Sequence, residues 1–506
     1  MSEESKSLAE KVFVGLKWNY TGALARGLSQ ILIGIVLARI LGPEPFGLVA
    51  IAWLVIGLGN LFSDFGFGAA LVQRQTISES EVRYVFTVQV LIGLGLTLFI
   101  VSSADLIGQV FKQREVVPVL RVLSSMFVIQ ALGQTAGSLL KRNLNFKNIQ
   151  LAQVLTYVVS YLLLGIPLAF WGLGVWSLVI AQISQSLLYT IVTYLQVRHS
   201  IKPLLKYSAS GFLSFGLKVT LINIFNWSIS NMDNVFVGRF FGVVNLGLYN
   251  RAYTLMTYPM NSFMSVLESV LFPAYSRVQD DTATLKRVYL GSVAVVALIM
   301  LPVFCSAAIV PHTIIQGLYG ERWLSAVPLM VPLALAVPFH AVMALAGPLL
   351  WGRGKVGWEL LAQSIAAVIF ILVLLAASKV SVVMVAWGVF LVAIVRFILM
   401  TTQVLKLIGA SWSNVIHSVR GAIFMGLWIT GLIWGAENVL LMFKTPAILR
   451  LAEEALTGGV GAIGLTLLFP KLVVTTEMAW LVDRFSDKFP KAIKNLLMRT
   501  TQAKEY

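Results

Sequence analysis

The chain has 506 residues, of which 58% are hydrophobic and 12% charged, with a mean hydropathy of +0.85. That is more apolar surface than one aqueous core can hide, which excludes a soluble globular protein. The net charge of +16 would suit a nucleic-acid binder, but it follows membrane topology instead, and the single Cys305 excludes an intramolecular disulfide and a cysteine metal site.

A helical membrane span needs about 20 apolar residues. Fourteen such runs follow in chain order: 19–40, 46–71, 84–110, 117–139, 149–170, 173–197, 210–238, 246–273, 288–311, 324–350, 359–377, 381–405, 415–436 and 452–470. Hydrocarbon offers no partner to an open backbone, so each run is expected to be a helix and the chain an all-α polytopic membrane protein. With the N-terminus taken as cytoplasmic, 25 Lys and Arg fall on that side and 8 on the other, which by the positive-inside rule places both termini in the cytoplasm. Residues 1–18 mix Glu3, Glu4 and Glu10 with lysines and lack the short apolar core of a cleavable signal, so the first span is expected to serve as an uncleaved insertion signal. The tenth run carries Pro328, Pro332, Pro338 and Pro348 and is expected to be kinked or broken where the two halves meet. Residues 471–506 read as an amphipathic cytoplasmic helix, with Val482, Phe485, Phe489, Ile493 and Leu496 on one face, lying along an anionic leaflet. A solvated tail is the alternative.

The stretch Leu37–Leu48 reappears 200 positions later as Val237–Leu248, Arg39 answering Arg239, Gly42 answering Gly242, and Gly47-Leu48 answering Gly247-Leu248. Each copy joins one apolar run to the next, so a transmembrane hairpin recurs. The organisation expected is an N-lobe of spans 1–6 (residues 1–197), a similarly folded C-lobe of spans 7–12 (198–405), two further helices (406–470) and the tail (471–506). Carriers built from repeats hold their substrate where the repeats meet, near the bilayer midplane.

Two matches to G-x-G-x-x-G, Gly352–Gly357 and Gly459–Gly464, lie between or inside spans rather than in a strand–helix unit, so they read as structural. The four histidines, His199, His312, His340 and His417, lack metal-ligand spacing. Neither a metal nor a cofactor is expected, and no catalytic residue. Polarity hidden in the spans carries more. The first span has Asn19, Gly22, Arg26, Ser29 and Gln30 on one side. The seventh has Asn223, Asn226, Ser230, Asp233 and Asn234 with Lys218 at the edge. The eighth has Arg251, Thr254, Tyr258, Asn261, Ser262, Ser265, Glu268 and Ser269 on one helical face. The fifth and sixth add Gln150, Gln153, Tyr157, Ser160 and Tyr161, then Gln182, Gln185, Ser186, Tyr189 and Thr193. Hydrogen bonding between packed helices is the plainer reading of any one stripe. Stripes in both halves favour a shared polar cavity. A Lys or Arg at a helix centre costs about 2.5–3.5 kcal/mol, so Arg26, Lys218 and Arg251 belong in that cavity, while Arg121 reads as a snorkelling residue and Arg396 as a structural ion. A cavity lined with cations suits phosphate or diphosphate.

The hairpin Leu37–Ala50, followed by Asn60–Arg74, resembles the opening of the bacterial polysaccharide exporters in the multidrug/oligosaccharidyl-lipid/polysaccharide superfamily. Asn231–Gly242, Leu246–Tyr253, Leu271–Asp281 and Leu139–Lys147 resemble the same family, nearest its colanic-acid and teichuronic-acid branch. Positions 44–45 read Glu-Pro where Glu-Asp is commoner, and the last four spans match in hydropathy alone. The resemblance implies a flippase in the bacterial cytoplasmic membrane that passes a polyprenyl-diphosphate-linked oligosaccharide outward by alternating access. Its partners would be membrane lipids and the polysaccharide polymerase and export machinery, not nucleic acid. Substrate contacts are then expected from Arg26, Gln30, Lys218, Asn226, Arg251, Tyr258 and Asn261. A cation-coupled drug or small-molecule antiporter of the same superfamily is the alternative, with Asp64, Asp233 and Glu268 as coupling carboxylates. A membrane glycan polymerase or ligase would carry a large external catalytic loop, which the span spacing leaves no room for.

Overall fold

The computed structural model describes residues 3–63, 66–74, 76–205, 212–277 and 281–484. The side chains of 3–16, 69–70, 212–226, 266, 268–270, 272–274, 276–277 and 481–484 lie outside that description. Among the described residues all regular structure is helical. The helices are α1 Glu3–Leu41, α2 Pro43–Asn60, α3 Phe67–Gln73, α4 Glu79–Val110, α5 Val116–Leu123, α6 Met126–Arg142, α7 Phe146–Ser160, α8 Ile166–Phe170, α9 Val175–Val197 and α10 Phe212–Arg277. They continue as α11 Thr282–Ile309, α12 Pro311–Leu318, α13 Val327–Ala344, α14 Ala346–Gly352, α15 Val356–Ala377, α16 Val382–Ile408, α17 Trp412–Met442, α18 Ala447–Leu468, α19 Pro470–Val473 and α20 Thr476–Arg484. Twelve helical segments among the described residues are long and apolar enough to cross a membrane. α10, broken at Gly242, supplies two more arms. The protein is a polytopic helical membrane protein.

Several spans are less regular than their hydropathy suggests. The second run, expected to be continuous over 46–71, is interrupted: α2 stops at Asn60, the chain turns through Leu61–Ser63, and α3 begins at Phe67. The Ser63 hydroxyl donates to the Asn60 carbonyl at 2.8 Å and closes that turn. The tenth span is interrupted by a 3₁₀ turn at Glu321–Ala326 and by a turn at Leu345, three residues ahead of Pro348, whereas α13 continues through Pro332 and Pro338. The fifth passes through a π turn at Tyr161–Gly165, just ahead of Pro167, which cannot donate to the preceding turn.

Two compact units divide the chain at Arg251 and Ala252. In the first, α6 packs on α4 and α9, and α7 packs on α1 and α9. In the second, α11 packs on α13, α17 and α20, while α18 packs on α12 and α17. Val473, Val474, Met478 and Ala479 are buried in one cluster with Ala294, Met425 and Ile429, so the chain just past α18 folds back into the second unit. Of the expected amphipathic face, Phe485, Phe489, Ile493, Leu496 and the Val482 side chain lie outside the described residues.

The repeated corner is visible in the backbone. Gly42 has φ 75° and ψ −175°, and Gly242 has φ 82° and ψ 177°, a region essentially closed to residues with a Cβ. The two corners also touch reciprocally. A Cβ on Gly47 would strike the Val243 carbonyl oxygen, and a Cβ on Gly247 would strike the Pro43 carbonyl oxygen. Positions 43 and 47 thus face 247 and 243, the self-complementary pattern of a two-fold contact.

Candidate functional site

Within the first unit lies a polar cavity of about 810 Å³ between α1, α2, α3, α6, α7 and α9. Its walls carry seven glutamines, Gln30, Gln73, Gln130, Gln134, Gln153, Gln182 and Gln185, with Asn60, Ser63, Ser138, Ser186, Tyr189 and Thr190. The charged groups among the described lining residues are Arg26 and Lys141, both cationic. Along α6 the lining runs from Gln130 to Lys141, about 16 Å at 1.5 Å per residue. It therefore follows most of α6 to its C-terminal end.

Local packing places these groups. Gly22 has no Cβ where the Gln150 side chain lies, so α1 and α7 approach closely, and Gln150 Nε2 donates to Asn19 Oδ1 at 2.7 Å. Farther along the same two helices, Arg26 Nη1 donates to Gln153 Oε1 at 2.6 Å. An amide oxygen holds the guanidinium in place without neutralising it, so its charge stays available to an anion. Across the cavity, Gly133 makes room for Thr190, whose hydroxyl donates to the Ile129 carbonyl at 2.8 Å and ties α9 to α6. The Tyr161 hydroxyl donates to Gln182 Oε1 at 2.7 Å, and Gln182 Nε2 donates to Gln185 Oε1 at 3.3 Å. Primary amides both donate and accept, as sugar hydroxyls do. A wall of them can exchange partners along a polyhydroxylated ligand without a charge to desolvate.

The structure separates residues that the stripes suggested together. Arg26 and Gln30 line the cavity. Arg251 sits elsewhere, its guanidinium 3.8 Å from the centre of the Phe46 ring and its Nη1 over Gly34. Gly34 is eight residues beyond Arg26, about 12 Å along α1. Asp233 is 2% exposed and accepts from the Tyr249 hydroxyl at 2.6 Å and from the Asn234 amide N–H at 2.8 Å. Asn250 Nδ2 in turn donates to Asn234 Oδ1 at 3.1 Å, so this network braces the two arms of α10 around the Gly242 corner. Tyr258, half-buried, and Asn261, exposed, belong to the second unit. Asp64 and the side chains of Lys218, Asn226 and Glu268 lie outside the described residues. Missed in the sequence were Gln130, Gln134 and Lys141, whose spacing of four and seven puts them on one face of α6, a stripe of the same kind as those noticed on the neighbouring spans.

A helical polytopic bundle with an amide-lined, cationic cavity is the architecture of carriers for polar cargo. The chain belongs to the family described as polysaccharide biosynthesis protein, which matches residues 36–328. It is 26% identical to the lipopolysaccharide biosynthesis protein WzxC of Escherichia coli over 429 residues, 83% of this chain and 86% of that one. It is 25% identical to the teichuronic acid biosynthesis protein TuaB of Bacillus subtilis over 464 residues, covering 89% and 94%. The succinoglycan biosynthesis transport protein ExoT of Rhizobium meliloti is 27% identical over 60% of this chain and 61% of its own length. In fold, the chain is similar to the lipid II flippase MurJ in an inward closed conformation, with a TM-score of 0.70 at 14% identity over 91% of this chain and 100% of that one. An inward-facing multidrug resistance MATE transporter gives a TM-score of 0.57 at 17% identity, covering 78% and 99%.

Proposed function

We propose that the protein is a flippase of the bacterial cytoplasmic membrane, both termini cytoplasmic, that carries the glycan headgroup of a polyprenyl-diphosphate-linked oligosaccharide outward by alternating access. The observation that carries this reading is the cavity wall: seven glutamines for sugar hydroxyls, with Arg26 and Lys141 as the charged groups among the described lining residues. Arg26 and Lys141 would hold the diphosphate, and the polyprenyl tail need never leave the lipid. Arg251 of α10, whose guanidinium lies beside Gly34 of α1 toward the corner, would receive the anion at a later stage, as the two repeats, 19–197 and 210–405, rock. An antiporter for cationic drugs wants carboxylates in its cavity, and the described lining residues supply none. The names of WzxC, TuaB and ExoT support a role in surface polysaccharide synthesis.

The test is a deletion strain in which lipid-linked repeat units are measured on the cytoplasmic leaflet. They should accumulate without the protein, clear when it is restored, and persist with Arg26→Ala at normal abundance. Arg26→Lys should restore export partly, because it keeps the charge but loses bidentate pairing. No accumulation in the deletion strain would sink the flippase reading, and full export by Arg26→Ala would remove Arg26 from the substrate site.

A further inference from the structure

At one end of the second unit, α12, α17 and α18 enclose a group of charges outside the cavity described above. Arg450 is 4% exposed and Glu454, one turn on along α18, is 3% exposed. Arg450 Nη1 donates to Glu437 Oε1 on α17 at 2.8 Å. Thr313 on α12 donates to the same oxygen at 2.5 Å, and Arg450 Nη2 donates to Gln316 Oε1 at 3.4 Å. Every one of these donors spares Glu454. Both of its carboxylate oxygens, and Glu437 Oε2, are buried without a hydrogen-bond donor, although the Glu454 and Glu437 carboxyls lie within hydrogen-bonding reach of each other.

The charges do not balance. Two carboxylates and one guanidinium leave one negative charge in a site from which water is largely excluded, where an uncompensated ion is costly. Two acceptors facing each other also repel. A single positive ligand resolves both faults. Among the described residues no third carboxylate, histidine or cysteine joins the pair to complete a metal site, and Arg450 already repels a metal ion. We propose that Glu437 and Glu454 form a proton-binding site, one proton being shared between the two carboxyls while Arg450 balances the charge that remains. Removing that proton would leave the contact between α17 and α18 repulsive, so occupancy governs how firmly α18 is held. The charged groups acting on Glu454 are Glu437 and Arg450; α12 contributes the neutral Thr313 and Gln316, while His312, Lys444 and Glu453 are exposed. In the topology proposed above the site lies toward the outer face of the membrane, but its chemistry does not depend on the cargo.

The experiment is infrared spectroscopy of the full-length protein in lipid, following the carbonyl stretch of protonated carboxylic acids across pH. Wild type at neutral pH should show a Glu437–Glu454 band that titrates away at alkaline pH. Glu454→Gln and Glu437→Gln should each abolish it, since the carboxylate that remains is balanced by Arg450. Arg450→Gln should instead strengthen it. A band unchanged in both glutamine variants overturns the proposal, as does a band displaced by sodium at constant pH. Should either variant fail to fold, wild type carrying ¹³C-labelled glutamate decides: an isotope-shifted band at neutral pH supports the shared proton, and its absence overturns it.

Discussion

At the residue scale, the buried Asp233 and Arg251 invite pairing as an ion pair, and the geometry points elsewhere. Asp233 is engaged by the Tyr249 hydroxyl and the Asn234 amide, whereas Arg251 lies on Phe46 and over Gly34. Arg251→Ala is therefore expected to abolish export at normal abundance, and adding Asp233→Asn is expected not to restore it. Recovery of export in the double variant would show that the two charges balance each other. His199, between α9 and the following loop, packs edge-on against Phe86 and Tyr194, and burial pushes its pKa below the ordinary 6.5. The neutral ring is the form that fits. Its contribution to stability is complete above the unfolded value of about 6.5 and is lost as pH falls below it, because the unfolded chain then binds the proton more readily. The melting temperature should drop between about pH 7.5 and about pH 5.5, and His199→Phe should lose less of it over that interval. An equal loss in both proteins would assign the pH dependence to other groups.

At the element scale, sequence periodicity reported the existence of most helices and little about which faces meet. Apolar runs marked the spans, and in the tenth Pro348 announced the break before α14. The interruption after Asn60 escaped notice because Leu61 and Phe62 keep the run apolar while Ser63 closes a turn. The glutamines of α6 escaped for a different reason. An amide inside a span is satisfied equally well by a neighbouring helix or by water, so a stripe alone cannot distinguish a wall from a seam. The corner glycines were legible as a repeat, but their contact was not, since sequence identity at an offset of 200 says nothing about touching. That contact makes Gly47→Ala and Gly247→Ala costly, by about 1–3 kcal/mol each for an overpacked site. Gly431, in the middle of α17 with open space around its Cα, is the control: Gly431→Ala should stabilise by about 0.5–1 kcal/mol. Thermal unfolding of the three variants in one detergent checks the contrast. If the corner variants match the control, backbone contact there is not limiting.

At the scale of the whole molecule, the positive-inside count makes a topological claim that labelling can settle. Lys355, between α14 and α15, and Lys444, between α17 and α18, are both exposed and belong to opposite sides by that count. In a chain carrying Cys305→Ala, a cysteine at 444 should react with an impermeant maleimide added outside intact cells, and one at 355 should react only after the membrane is opened. The reverse pattern would invert the protein and place the opening of the Arg26 cavity on the other side.

The reciprocal contact between the two glycine corners has a consequence for descent. A half-length chain bearing one such hairpin would offer position 43 and position 47 to a second copy of itself, each meeting the other's partner. The joined chain would then preserve within one polypeptide what had been an interface between two. Drift in the remaining helices is free to erase the likeness of the halves, but a substitution at either corner must be tolerated by both, which fits the recurrence of Gly42 and Gly47-Leu48 as Gly242 and Gly247-Leu248.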